Sequence, residues 1–402
     1  GVGVGDRRDP IAFGDLLALA HDPVEADVGD AIGNEAHRPD VDLRLAGRPV
    51  DHLRALRIGG PEGVGPALLP LHFPLGTAHG RGSRRSVIKR PTGKIEPRFA
   101  GRVMIRFGPA GIPLSCKGRT IRDGIEDIHA LGLHAMEIQL VRGRAVVELD
   151  DFEELGEIAH SLDIYMAIHA PYYMDFLGNG YMRNKSSKFL QFAGEIGTKI
   201  GARTIVTHIG PYHDFSSREA IEALVPAFRE LRNHYLQHNF RPRIGVELSG
   251  RPDLFGTLRE ITELCQRVRG LVPIINWPHL HARGNRWLND RESFKRVFDF
   301  FEANLGLDKF YCHFSGVEFD VDGNERHYAP VKRGEIKFEH LAEVILENDY
   351  NIIMISDSPL MEHDAMYMKL IMERVESRRQ ERIARREASE RIRQVREAAA
   401  EA

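Results

Sequence analysis

The chain has 402 residues, enough for one large barrel or two to three ordinary domains. Hydrophobic residues at 42% and charged residues at 28% describe a globular protein with a substantial core, which excludes a disordered or fibrous chain. The formal net charge of −3 neither demands nor excludes a polyanionic partner, because a small basic face can bind phosphate on a nearly neutral protein.

No apolar run approaches the roughly 20 residues that span a bilayer, so no membrane association is expected. The N-terminus lacks the basic stretch and apolar core of a signal peptide. Cys116, Cys265 and Cys312 are scattered without CxxC spacing. The expectation is a reduced cytoplasmic protein without a disulfide framework, and nothing in the chain demands more than a monomer.

Residues 1–103 differ from all that follows. They are rich in Gly, Pro, Asp, Arg and His and contain no lysine before Lys89. Their short apolar pieces are broken by glycine and proline, so they read either as a disordered extension or as sequence upstream of a start at Met104, with composition favouring the second. From Met104 the pattern becomes short β-rich runs separated by amphipathic stretches. The runs are MIRFG (from Met104), AMEIQL (Ala135), IYMAIH (Ile164), TIVTH (Thr204), IGVEL (Ile244), VPIIN (Val272), FYCHF (Phe310) and IIMIS (Ile352). Helices are expected between them, one behind a Thr120 cap and one behind a Ser217 cap.

Apolar runs alternating with helices predict a parallel sheet buried on both faces. Eight such units over residues 104–375 predict an α/β fold, a closed (β/α)8 TIM barrel. An open doubly wound sheet is the competing architecture, but it usually carries a Gly-rich phosphate loop after its first strand. Residues 376–402 hold eight arginines and six glutamates. They predict a charged helix that is either solvated or offers a basic face to DNA.

Strand three ends in His169, strand four in His208 and strand five in Glu247. Strand six ends in Asn276, with His279 three residues on. Strand seven carries His313, its loop carries Glu325 and His327, and strand eight ends at Asp357. In a barrel these ends converge on one mouth. One strand-end histidine is ordinarily a packing residue. Five histidines and three carboxylates in one pocket are costly to bury unless paired or metal-bound. Imidazole with carboxylate suits Zn2+, with Mn2+ the alternative, and so many donors suit two or three ions. Clustered divalent ions favour displacement at phosphorus by an activated water. Cys312, by strand alternation, faces away from His313.

These motifs resemble the endonuclease IV family of abasic-site DNA repair nucleases, over Met104 to Val375. HAPYYMDF from His169, THIGPY around His208, VELSG around Glu247, NWPH from Asn276, CHFSG at His313, ERH from Glu325 and SDSP at Asp357 follow the family's order and spacing. The resemblance implies one ion on His169, His208 and Glu247. It implies a second on Glu247, Asn276, His313 and Asp357, and a third on His279, Glu325 and His327. Glu247 would be the bridging and catalytic carboxylate, Tyr172 the DNA-probing residue, and Arg142 and Arg144 phosphate contacts. Asn276 and Glu325 stand where the family has aspartate, and Asp357 where it has glutamate.

The function implied is a phosphodiester hydrolase, a DNA repair endonuclease cutting duplex DNA 5′ to abasic sites in base excision repair. The alternative is a xylose isomerase-like sugar isomerase or epimerase using fewer ions. Arg183, Lys185, Lys188, Arg283 and Arg286 are further basic residues of the expected mouth, with Trp277 and Trp287 flanking the Asn276 segment.

Overall fold

Each of the eight apolar runs forms a strand. The computed structural model describes residues 104–140, 152–321 and 323–401. The readings placed on 1–103, Arg142 and Arg144 lie outside the described residues. In chain order the elements are β1 (Ile105–Pro109), α1 (Ile121–Ala130), β2 (Ala135–Gln139), α2 (Phe152–Ser161), β3 (Tyr165–His169), α3 (Gly180–Lys199), β4 (Thr204–Thr207), α4 (Ser217–Gln237) and β5 (Arg243–Glu247). They continue with α5 (Leu258–Arg267), β6 (Leu271–Asn276), α6 (Trp277–Arg283), α7 (Arg291–Leu305), β7 (Lys309–Phe314), β8 (Gly316–Phe319), β9 (Glu325–Ala329), α8 (Phe338–Glu347), β10 (Asn351–Ser356) and α9 (Glu362–Glu401).

Eight of the strands make one parallel sheet in the order β1-β10-β7-β6-β5-β4-β3-β2. Its two ends approach each other through a parallel bridge between Ala110 and Glu137 and a 3.0 Å hydrogen bond from His134 N to Phe107 O. Gly108 permits that approach, since a Cβ there would collide with the Ala135 carbonyl. The architecture is the expected TIM barrel.

The helix starts follow ordinary capping chemistry. Thr120 caps α1 with a reciprocal bond to Asp123. The cap of α4 is Ser216, one residue before the serine read from the sequence, and Glu219 completes its capping box. Between helices and strands lies a large apolar layer that includes Ile125, Phe228, Trp277, Phe294, Phe298 and Leu341. A smaller cluster of Ala135, Ala167, Val206, Ile274, Tyr311 and Ile355 plugs the barrel interior. This plug sets the floor of the site, because the next inward-facing layer along the same strands is polar.

The final helix is longer than a barrel helix needs. Ala365, Met368, Ile371, Met372 and Val375 pack on the barrel, whereas residues 381–400 are exposed all round. Among the described residues no helix is long and apolar enough to cross a membrane.

Candidate metal centre

Glu247, at the end of β5, sits at the middle of a buried cluster. Its Oε2 lies 2.9 Å from His169 Nε2 and 3.2 Å from His208 Nε2, and its Oε1 lies 2.7 Å from His313 Nδ1. His313 Nδ1 is also 3.4 Å from Asp357 Oδ2. These groups arrive from β3, β5 and β7 and from the residues just after β4 and β10, all at one end of the sheet. Their convergence follows from parallel strands in register, with His169 opposite Val206 and Asn276 opposite His313.

The next layer down holds Glu137, which the sequence reading did not single out. It is the third residue of β2 and fully buried. Its Oε2 accepts hydrogen bonds from His313 Nε2 at 2.9 Å and Tyr311 at 2.7 Å, and its Oε1 accepts from Gln139 at 2.8 Å. The available signal was alternation along AMEIQL, which puts Ala135, Glu137 and Gln139 on one face, with a carboxylate in the middle of a strand whose other face is apolar.

Asn276 departs from the role implied for it. Its side-chain nitrogen donates to Glu247 Oε1 at 2.8 Å, to Tyr328 at 3.1 Å and to Asp357 Oδ2 at 3.2 Å. Its oxygen accepts from His279 N at 3.1 Å and so caps α6, whose first turn also contains Pro278. Partners on both sides fix the amide orientation: two carboxylates need the NH2 group, and the helix N-terminus needs the oxygen. The face turned to the carboxylates therefore carries hydrogens rather than a lone pair.

His327 is the second departure. It lies on the outer side of the β8–β9 hairpin, half exposed, and pairs with Glu318 at 2.7 Å. A register shift between Glu318 and Phe319 leaves Arg326 as an extra residue in β9. The extra residue breaks strict alternation, so Glu325 and Tyr328 share the inner side while His327 turns outward. Glu325 Oε2 reaches His279 Nδ1 at 2.7 Å, and the Tyr328 hydroxyl lies 3.0 Å from His279 Nε2. Gly250 makes room for this, because a Cβ there would collide with the Glu325 carboxylate.

The electrostatics follow from burial and pairing. Burial disfavours a charge on His169, but the Glu247 hydrogen bond and the charges of Glu137 and Glu247 outweigh it and bring its pKa up to about 9. At His208 burial dominates, and despite Glu247 the neighbouring imidazoles help hold its pKa down at about 4. His313, buried between three carboxylates, is raised well above the usual range. Burial together with Glu137 and Glu247, only partly countered by His313, lifts Asp357 to about 6.

The donors around Glu247 form overlapping groups that fit a metal ion. His169 Nδ1 is fixed on Ala170 O at 2.6 Å, which turns Nε2 toward Glu247 beside His208 Nε2. Two imidazoles beside a carboxylate oxygen, one of them anchored through its far nitrogen, are zinc-type donors. The sets His169–Glu247–His313, His208–Glu247–His279 and Glu137–His313–Asp357 each bring three donor atoms within 4.8 Å of one another. Asn276 presents hydrogens to this cluster, and His327 does not join the His279–Glu325 pair.

A family model described as "Xylose isomerase-like TIM barrel" matches residues 125–395. The chain belongs to that family. An uncharacterised protein of Methanocaldococcus jannaschii is 25% identical over 271 residues, covering 66% of this chain and 96% of that one. Among solved structures, endonuclease IV from Thermus thermophilus is similar with a TM-score of 0.53 at 20% identity, over 68% of this chain and 99% of that one. A D-tagatose 3-epimerase-like protein is similar with a TM-score of 0.55 at 16% identity, over 69% and 99%. An L-ribulose 3-epimerase gives 0.51 at 13%, over 70% and 98%. At these identities the likenesses show the fold alone, and they extend to nucleases and epimerases alike.

Tyr172, three residues beyond His169, is 48% exposed and stands edge-on to Tyr173. Trp277 is core, packed between Phe294 and Phe298. Arg283 is committed to the carbonyls of Ser249, Arg251 and Leu254, and Arg286 to Glu335. Lys185 is buried, with its ammonium 5.7 Å from the centre of the Tyr173 ring.

Proposed function

We propose that this barrel is a metal-dependent phosphodiester hydrolase acting on duplex DNA at abasic sites. The observation that carries this reading is the position of Glu247. One of its oxygens faces His169 and His208 while the other faces His313, whose Nδ1 also lies 3.4 Å from Asp357. That is the arrangement of a carboxylate able to bridge two cations. When bound, paired divalent ions supply Lewis acidity toward a phosphate and an acidified water, the chemistry of phosphoryl displacement.

The chain's own residues would do the rest. His169 and His208 would hold the ion on the Glu247 Oε2 side, with His208 already neutral and ready to donate a lone pair. Glu137 fixes the His313 ring so that Nδ1 points at Glu247 and Asp357. Tyr172, exposed three residues beyond His169, would meet the substrate. The deciding experiment is incision of a duplex carrying one tetrahydrofuran abasic analogue, with and without chelator. A chelator-sensitive cut 5′ to the analogue is expected, and its absence would overturn the proposal.

The Asn276 orientation favours a second reading. With hydrogens aimed at Glu247 Oε1 and Asp357, the chain would hold a single ion and act as a sugar isomerase or epimerase. One ion per chain, with epimerisation of a ketohexose and no incision, would establish it instead.

A further inference from the structure

The exposed end of α9 is sorted by charge around its circumference. Advancing the standard ~100° per residue, Arg378, Arg379, Arg382, Arg385, Arg386, Arg393 and Arg396 fall within one sector of about 120°. They extend over roughly 27 Å at 1.5 Å per residue. Arg391 alone of the tail's eight arginines lies elsewhere. Most of the glutamates occupy the next sector. The third carries Ala384, Ala388, Ile392, Val395 and Ala399.

The arginines are available. Arg378, Arg382, Arg386 and Arg396 are exposed and, among the described residues, make no ion pair. Arg385 and Arg393 have only loose helix-surface pairs, at 4.0 Å to Glu381 and 3.6 Å to Glu397. Arg379 is 3.4 Å from Glu376. Exposed pairs of this kind contribute little and yield readily to a stronger anion.

We propose that this arginine face is a sequence-independent docking surface for the phosphate backbone of a duplex nucleic acid. A linear array of guanidinium groups complements a polyanion with one charge about every 1.7 Å. The other occupants fit less well. The apolar sector is mostly alanine, with Ile392 and Val395 its large side chains, too little to insert into a membrane surface or hold a coiled-coil seam. The inference stands apart from the chemistry proposed for the barrel, since it requires binding and no incision.

The test uses the full chain, with chelator present, and a fluorescein-labelled 20-base-pair undamaged duplex followed by anisotropy across a sodium chloride series. The quadruple variant Arg382→Gln, Arg385→Gln, Arg386→Gln, Arg393→Gln should weaken binding at least tenfold at 100 mM salt. It should also lower the salt slope by about 3 to 4, near 0.9 per lost contact. The corresponding four Arg→Lys changes should largely retain binding, which separates lost charge from lost helix. Arg391→Gln should change little, whereas Arg382→Gln alone, with the same change in net charge, should have a measurable effect. Unchanged binding by the quadruple variant overturns the proposal, as does an equal effect of Arg391→Gln and Arg382→Gln. So does loss of binding to phosphatidylserine vesicles, or of a dimer by sedimentation, with duplex binding intact.

Discussion

The side-chain nitrogen of Asn276 lies 2.8 Å from Glu247 Oε1, while its oxygen caps the helix that begins at the next residue. One neutral side chain thus stands between the central carboxylate of the cluster and a helix N-terminus and satisfies both. Asn276→Asp would keep the capping acceptor but replace the donor facing Glu247 and Asp357 with a third carboxylate. The metal-free protein should lose about 1–3 kcal/mol, the cost of an unpaired buried polar contact. For a protein of this size that corresponds to a fall in Tm of several degrees. Added Zn2+ should restore more stability to this variant than to the parent, and bound metal should rise by about one ion. Calorimetry with and without chelator, together with metal analysis, checks both; an unchanged metal content would refute the account of Asn276.

Glu247→Gln tests the hub. It leaves His169 and His313 as buried cations short of their main partner, so a loss of about 3–5 kcal/mol is expected in the metal-free state. Metal retention should collapse. Chemical denaturation and equilibrium dialysis would show this, and a variant that bound metal normally would remove Glu247 from the centre of the site.

The pKa shifts give a signed pH dependence. His169 is raised from an ordinary 6.5 to about 9, so between these values the folded metal-free protein holds a proton that the unfolded chain has lost. That contribution to stability is complete below pH 6.5 and disappears as the pH rises through 9. A metal must displace the same proton, so binding at about pH 7.5 should release about one proton from His169 and none from His208, already neutral there. Titration calorimetry in buffers of different ionisation enthalpy counts the protons. The count should fall by about one proton in His169→Asn, and an unchanged count would contradict the assignment.

His327 and Tyr328 are neighbours with opposite expectations. His327→Ala removes an exposed pair with Glu318 and should change stability by less than about 0.5 kcal/mol, with metal content and activity intact. Tyr328→Phe removes the hydroxyl shared by Asn276 and His279 and should cost about 1–2 kcal/mol. Thermal melts of the two variants decide between them; the reverse order would mean that the hairpin sits differently.

Much of this protein was legible in the linear sequence. Buried parallel strands are continuous apolar runs, and helix starts carry local caps, so β1–β7 and β10 could be marked out to within about a residue at their ends. Parallel strands also place their C-terminal ends together, which is why His169, His208, Glu247, His313 and Asp357 could be grouped before any coordinate was known.

Three features depended on the tertiary structure, each for a physical reason. Glu137 lies mid-strand, one layer beneath the strand ends, and meets Tyr311 and His313 across the barrel, more than 170 positions away along the chain. His327 and Tyr328 exchange faces because of an extra residue in a short hairpin, which alternation along β9 alone does not reveal. Asn276 has a spacing that suits a ligand, but whether its oxygen or its nitrogen faces the carboxylates is decided by the helix it caps and the groups packed around it. Composition and spacing determined which residues meet; only packing in three dimensions decided which atoms they present to one another.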